Sequence, residues 1–157
     1  MIESQKKYYF ESDFGLFSIV CDDNFLYRLD KIKEQTFKSF HEENKLCKMV
    51  KLQLNEYFTM TRKEFSIPLK MEGTNFQKKV WQELTEIPYG QTCSYQDIAI
   101  KIGKPKACRA VGGANNKNPI IIIVPCHRVI GKNGSLVGYG GGLDLKEKLL
   151  TLEKANL

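Results

Sequence analysis

The stretch Ser94-Tyr95-Gln96-Asp97-Ile98-Ala99-Ile100-Lys101-Ile102-Gly103-Lys104-Pro105-Lys106-Ala107-Cys108-Arg109-Ala110-Val111-Gly112-Gly113-Ala114-Asn115-Asn116 decides the architecture. Ser94 and Asp97 stand at capping-box spacing, in which the two side chains satisfy each other's backbone N–H groups at a helix start. The short helix opened there turns Ile98, Ala99 and Ile102 inward and stops at Gly103, a residue suited to the conformation that ends helices. Pro105 suits the first turn of a further helix, where its missing N–H would have no partner anyway; that helix runs to about Asn116. Helix, short glycine-bearing turn, helix is the helix-turn-helix pattern, although many helical hairpins share it.

The second of these helices is the more informative. At about 100° per residue, Ala107, Ala110, Val111 and Ala114 share one face, and Arg109, Gly112, Gly113 and Asn116 share the other. Two adjacent glycines inside a helix cost roughly 1 kcal/mol each relative to alanine. Their outward face is one long cation with almost no side chain around it, so a bulky partner can approach the backbone while Arg109 projects into it. A DNA groove fits that description better than the alternative, tight helix–helix packing. The charge agrees. Residues 1–69 hold eleven Lys/Arg against eleven Asp/Glu, whereas residues 70–157 hold thirteen against seven, so the whole net charge of +6 lies in the second half. Such asymmetry points to an anionic partner for that half.

Working outward toward the N-terminus, Pro88-Tyr89-Gly90 closes a helix that a Thr74/Gln77 capping box opens, with Phe76, Val80 and Leu84 along one face. The join lies around Phe65-Ser66-Ile67-Pro68-Leu69-Lys70-Met71-Glu72-Gly73. Before it come aromatic and β-branched runs at 8–10, 16–21 and 25–29, separated by Glu11-Ser12-Asp13-Phe14-Gly15 and Asp22-Asp23-Asn24, then a helix from near His41 to about Thr59 with Leu46, Val50, Leu54, Tyr57 and Phe58 at helical spacing. Nothing there is catalytic in type, and His41 reads as a surface histidine. Toward the C-terminus, Asn118-Pro119 ends the second of the two helices. Ile120-Ile121-Ile122-Ile123-Val124 reads as a fully buried strand, Val129-Ile130 as its extension, and Asn133-Gly134 as a hairpin turn. Gly138-Tyr139-Gly140-Gly141-Gly142 is a loop. A last helix is lined by Leu145, Leu149 and Leu152, with Glu153 at the edge of the stripe.

The expected fold is therefore α+β: a small N-terminal antiparallel sheet with a helix (residues 1–72), followed by a helical, winged-helix-like C-terminal domain with a helix-turn-helix (73–157). With 157 residues, 42% hydrophobic and 27% charged, the chain is neither a disordered tail, a collagen nor a coiled coil. Its longest aliphatic run, 120–124, falls far short of the roughly 20 residues that span a bilayer. The start is polar and mixed in charge, with no signal or transit pattern. A cytoplasmic location is expected, or a nuclear one in a eukaryote. The five cysteines are odd in number and lie far apart, which argues against a disulfide framework or a zinc ribbon.

Cys126 stands apart from Cys21, Cys47, Cys93 and Cys108, which read as small buried hydrophobes. It follows a buried run and a proline, and it precedes His127 and Arg128, two groups that favour a thiolate. On an extended chain neighbouring side chains point to opposite faces, so His127 is expected to reach the sulfur through a bridging water. An inward Glu153 would hold His127 in one tautomer.

Pro125-Cys126-His127-Arg128-Val129, preceded by an aliphatic run, resembles the active-site motif of the O6-alkylguanine-DNA alkyltransferases, the methylated-DNA–protein-cysteine methyltransferases. The resemblance covers roughly residues 74–153. It includes Pro88-Tyr89-Gly90, Ser94-Tyr95, Arg109-Ala110-Val111-Gly112-Gly113-Ala114, Asn118-Pro119 and Gly138-Tyr139 with its glycines. It implies DNA repair by direct reversal. The Arg109 helix enters the minor groove of duplex DNA, an alkylated guanine is flipped out with Arg109 filling the gap, and the Cys126 thiolate takes the alkyl group permanently, once per molecule. It implies DNA contacts from Arg109, Gly112, Gly113, Ala114, Asn115 and Arg128. Tyr95 is implied as the donor to ring N3, and the N–H of Gly140 as the donor to O6. The carbonyls of Cys126 and Val129 are implied as acceptors for the exocyclic amine, Tyr139 as a pocket wall and Asn118 as a brace. The family often has Ser or Ala where Gly140 stands. Some relatives bind zinc through N-terminal Cys and His ligands, a set that Cys21, Cys47 and His41 do not match. No metal and no cofactor are expected. The expected protein is a monomer with no membrane partner, and cooperative binding along DNA and activity on O4-alkylthymine are left open.

Two other functions share some of these features. A sequence-specific helix-turn-helix regulator with Cys126 as a sensor needs side chains that reach base edges, which Gly112-Gly113 denies it. A cysteine hydrolase needs an imidazole in direct reach of the sulfur, which a sequence-adjacent Cys and His make improbable.

Overall fold

The computed structural model describes residues 4–33, 42–139 and 141–157. Two compact units divide the chain, Met1–Met71 and Glu72–Leu157.

In the first unit, β1 (Lys6–Ser12), β2 (Gly15–Cys21) and β3 (Leu26–Ile32) form an antiparallel sheet in the order β1-β2-β3. Both turns are built by short polar side chains bonding nearby backbone. The Ser12 hydroxyl accepts from Phe14 N at 3.1 Å, and Asp22 Oδ1 accepts from the N–H groups of Asn24 and Phe25, each at 2.7 Å. Helix α1 (Lys45–Phe58) starts where Asn44 Oδ1 accepts from Cys47 N at 2.7 Å. The helix expected from near His41 therefore begins at Lys45, and His41 itself lies outside the described residues. Phe17, Ile19, Cys21, Leu26 and Leu29 of the sheet are buried, as are Leu46, Cys47, Val50, Leu54 and Tyr57 of α1. Residues 68–70 run beside β3, with Leu26 N bonded to Pro68 O and Lys70 N to Leu26 O.

The second unit holds α2 (Asn75–Leu84), β4 (Cys93–Ser94), α3 (Tyr95–Lys101), α4 (Cys108–Asn116), one 3₁₀ turn (Cys126–Arg128), β5 (Val129–Ile130) and α5 (Leu143–Ala155). Both capping boxes form, Thr74 with Gln77 and Ser94 with Asp97. Helix α4 starts three residues later than Pro105 implies. Gly103 takes a positive φ of 76°, Lys104 N returns to Ala99 O, and Ala107 N bonds Lys104 O, so Pro105 lies in the turn. Trp81 Nε1 donates to Ala114 O at 2.8 Å, tying α2 to α4. Val111 and Ala114 are buried as expected, but Ala110 is exposed.

The run 120–124 is buried except for the half-buried Ile123, but it is not a strand. It folds into successive tight turns, with Ile123 N on Ile121 O, Val124 N on Ile120 O, and Ile122 at φ 73°. Asn118 clamps this shape, its Oδ1 accepting from Ile120 N at 3.0 Å and its Nδ2 donating to Val124 O at 2.8 Å. A continuous apolar run reports burial, not period, so the sequence could not separate a strand from a buried turn. Accordingly β5 pairs with β4 instead, in a parallel bridge of Cys93 with Val129 and Ser94 with Ile130. No helix among the described residues is long and apolar enough to cross a membrane.

Candidate active site around Cys126

The clamped turn at 120–124 delivers Pro125 and then the 3₁₀ turn, which buries Cys126, His127 and Arg128 together. Cys126 is thus on a turn, not on the extended segment expected. Burial pushes its thiol up to about 11, against hydrogen bonds from Asn118 and Tyr139 and the charge of Lys146, which pull it down. Burial thus favours the thiol over the thiolate in the resting site.

His127 is fully buried, and its Nε2 lies 2.6 Å from Glu153 Oε2. Burial pushes the imidazole below its usual value, with the Glu153 hydrogen bond and charge working the other way. Burial alone would raise Glu153, but the hydrogen bonds from His127 and Arg128 override it and hold the carboxyl well below the usual range. An ionised Glu153 beside a neutral imidazole fixes the tautomer: Nε2–H donates, and Nδ1 is the open acceptor. Nδ1 has no hydrogen-bond partner among the described residues.

Arg128 does not reach a DNA surface. The residue is 7% exposed, its Nε and Nη2 donate to Glu153 at 2.9 and 3.0 Å, and its Nη1 donates to Ile87 O at 2.7 Å. A buried carboxylate needs such a partner, and the bidentate fork supplies it. Nor does Arg128 favour a thiolate, since its charge is committed to Glu153. The cation that faces Cys126 is Lys146, fully buried on α5, with Nζ donating to Val129 O at 2.7 Å and Val137 O at 2.8 Å. Burial lowers its pKa, with Cys126 opposing. The sequence reading missed Lys146. The available signal was its position seven residues before Glu153, hence on the same helix face.

Two further expectations for α4 are corrected. Ala114 is buried, with its carbonyl taken by Trp81, and Asn115 is 1% exposed, with Nδ2 reaching back to Cys126 O at 3.4 Å. The face open to a partner is Arg109, Gly113 and Asn116, with Gly112 half-buried. A Cβ at Gly113 would meet nothing within 4 Å, and one at Gly112 only the Tyr95 ring at 3.8 Å. Packing inside the molecule therefore does not require these glycines.

Tyr95, the first residue of α3, donates from its hydroxyl to Val137 O at 3.0 Å; burial, then the nearby Cys126 and Cys108, raise its pKa, so it stays a phenol. The Tyr139 ring closes over Gly141, where a Cβ would lie 2.9 Å from it. Gly140 lies outside the described residues. The carbonyls expected to hold a guanine amine are already engaged, Val129 O by Lys146 and Cys126 O by Val129 N and Asn115 Nδ2. An incoming amine would use the second lone pair of Val129 O and compete with the long Asn115 bond. Among the described residues no cluster of His, Cys, Asp and Glu could hold a metal.

A helix-turn-helix unit that buries one cysteine against an ordered imidazole, carboxylate and ammonium defines a class: a DNA-directed protein whose reacting group is its own sulfur. Known proteins agree. Residues 75–155 match the family described as 6-O-methylguanine DNA methyltransferase, DNA binding domain, and residues 6–71 match its ribonuclease-like domain. A methylated-DNA–protein-cysteine methyltransferase of Methanosarcina acetivorans is 50% identical over 148 residues, 92% of this chain and 95% of that one. The constitutive Bacillus subtilis protein of the same name is 52% identical over 123 residues, covering 78% and 74%. The crystal structure of Mycobacterium tuberculosis O6-methylguanine methyltransferase superposes with a TM-score of 0.87 at 43% identity, covering 98% of this chain and 94% of that one. The same bacterium's enzyme in complex with DNA gives 0.86 at 44%, covering 96% and 93%. The chain belongs to the 6-O-methylguanine DNA methyltransferase family.

Proposed function

We propose that this protein repairs O6-alkylguanine in duplex DNA by moving the alkyl group to Cys126, once per molecule. The observation that carries the reading is the buried Cys126 thiol next to a neutral His127 whose tautomer Glu153 fixes and Arg128 stabilises. Burial favours the thiol, so attack requires a base, and Nδ1 of His127 is the open acceptor. Nothing bonds Nδ1 directly to the sulfur, which favours transfer through water.

The steps then follow from the residues. Arg109 and the bare Gly112–Gly113 face meet the minor groove, and Arg109 fills the gap left by the flipped base; flipping costs a few kcal/mol, less for a damaged base. The thiolate attacks the alkyl carbon in line, the S–C bond forms as the C–O6 bond breaks, and the electron pair leaves on guanine. Tyr95, kept protonated, gives up Val137 O and donates to ring N3. Tyr139 walls the pocket, and Asn118 holds the turn that carries Cys126. The thioether is stable and nothing nearby can cleave it.

The test is intact mass after mixing the protein with a duplex carrying O6-methylguanine. One methyl group on Cys126 is expected, absent in Cys126→Ala. No adduct, or product in excess of protein, would defeat the assignment.

A further inference from the structure

Resting on that reading, we propose that Asn115 is a positioning residue for the reaction: its side-chain oxygen and Nδ1 of His127 together hold the water that accepts the Cys126 proton. Asn115 sits on α4, six residues after Arg109, but on the opposite side of the helix, 1% exposed. Its Nδ2 points at Cys126 O. The reverse orientation would set two acceptors against each other, so the amide direction is fixed by chemistry. That leaves Oδ1 as a buried acceptor with no partner among the described residues, and the only other such atom outside Tyr139 is Nδ1 of His127. Buried polar atoms are paired in all but a few cases. Both stand beside one peptide group, that between Cys126 and His127: the Asn115 amide bonds its carbonyl, and His127 is the residue that follows it.

A buried water makes about three hydrogen bonds, and this site supplies three of the right polarity. Both orphaned atoms are acceptors, so they take both hydrogens of the water and turn its lone pairs toward the Cys126 S–H. In the transfer the S–H bond breaks as an O–H bond forms on the water. The O–H directed at His127 breaks as N–H forms at Nδ1. The water is regenerated, Cys126 becomes thiolate, and His127 becomes imidazolium facing Glu153. The hydrogen on Asn115 never moves; it holds the water in register. Asn115 therefore orients the relay without touching the substrate. The titratable and charged groups that bear on the sulfur are otherwise Tyr95 from α3, Tyr139 from the glycine loop and Lys146 from α5, while Glu153 from α5 and Arg128 from the turn itself bear on His127.

Two measurements decide it. In a crystal structure of the unreacted protein, an ordered water is expected within hydrogen-bond distance of Asn115 Oδ1, His127 Nδ1 and Cys126 Sγ; its absence overturns the proposal whatever the protein repairs. Single-turnover transfer from free O6-benzylguanine is then followed against pH for wild type and Asn115→Leu. The variant should be slower at pH 7 on the order of tenfold, part of the roughly 10²–10⁴-fold a placed base contributes, and the gap should close as pH rises toward the titration of the thiol itself. An unchanged rate, or a deficit equal at every pH, would reduce Asn115 to a brace and overturn the proposal. A wild type that transfers nothing would instead sink the functional reading, and the water would still be decided by the crystal structure.

Discussion

Replacing Gly113 with alanine separates what α4 needs for folding from what it needs for DNA. Gly113 is interior to α4, its backbone is not in the left-handed region, and an added Cβ meets no heavy atom within 4 Å. The methyl group thus causes neither clash nor strain, and the helix gains about 0.5–1 kcal/mol from restricting the unfolded chain. In a unit of this size that raises the melting temperature by about 2–8 °C. On the duplex the same methyl stands on the face beside Arg109 that has to approach the groove. A loss of about 1.4 kcal/mol there is tenfold in the rate of repair. Free O6-benzylguanine needs no groove, so its reaction with Cys126 should be unchanged. Thermal melting by circular dichroism and single-turnover transfer on both substrates read all three quantities. A stabilised protein that repairs duplex DNA at the wild-type rate would refute the assignment of this face to DNA, and an equal loss on both substrates would place Gly113 in the pocket instead.

Other outcomes follow from the buried charges. Arg128→Leu leaves the Glu153 carboxylate buried without its bidentate partner and should cost about 3–5 kcal/mol in urea unfolding; weakened DNA binding at unchanged stability would return Arg128 to the surface role. Lys146→Met removes the ammonium facing Cys126, so the thiol should rise further above about 11 and alkyl transfer should slow at neutral pH, with rates converging in strong alkali. Acid should destabilise the second unit in two stages. His127 is lowered from 6.5 on folding, so its contribution is present above pH 6.5 and lost as pH falls below it; Glu153 is lowered from 4.5, so its contribution is lost only below pH 4.5. A melting temperature that stays flat from pH 8 to 4 would contradict this.

Local signals in the sequence were read well where side chain and backbone decide structure between themselves. The Thr74/Gln77 and Ser94/Asp97 boxes specify their helices within one turn, and Asn44 marks a helix start that hydrophobic spacing alone placed a few residues early. What escaped depended on tertiary partners. Residues 120–124 carry no period, and their turns are imposed by the Asn118 side chain. Arg128, Asn115 and Lys146 are polar residue types whose default place is the surface. Each is drawn in by a group that cannot be left bare: the Glu153 carboxylate, the Cys126 carbonyl, and the carbonyls of Val129 and Val137. Glu153 was legible because it edged an apolar stripe; Lys146 lies on the same face one heptad earlier and would have followed from the same geometry.

The inward turn of these residues also bears on why the resting sulfur is so weakly acidic. A conventional thiol enzyme gains by keeping its cysteine ionised, because each cycle returns it. A protein consumed by its own reaction has one cysteine to spend, and an exposed thiolate would be lost to oxidants and stray electrophiles. Here burial outweighs the Asn118 and Tyr139 hydrogen bonds and the Lys146 charge, so the thiol sits at about 11 and only the His127 side offers a way out for the proton. Helix α4 carries Arg109 outward to the surface and Asn115 inward to the Cys126 carbonyl. On the proposed function, the element that would register the damaged strand also fixes the backbone of the sulfur that strikes it.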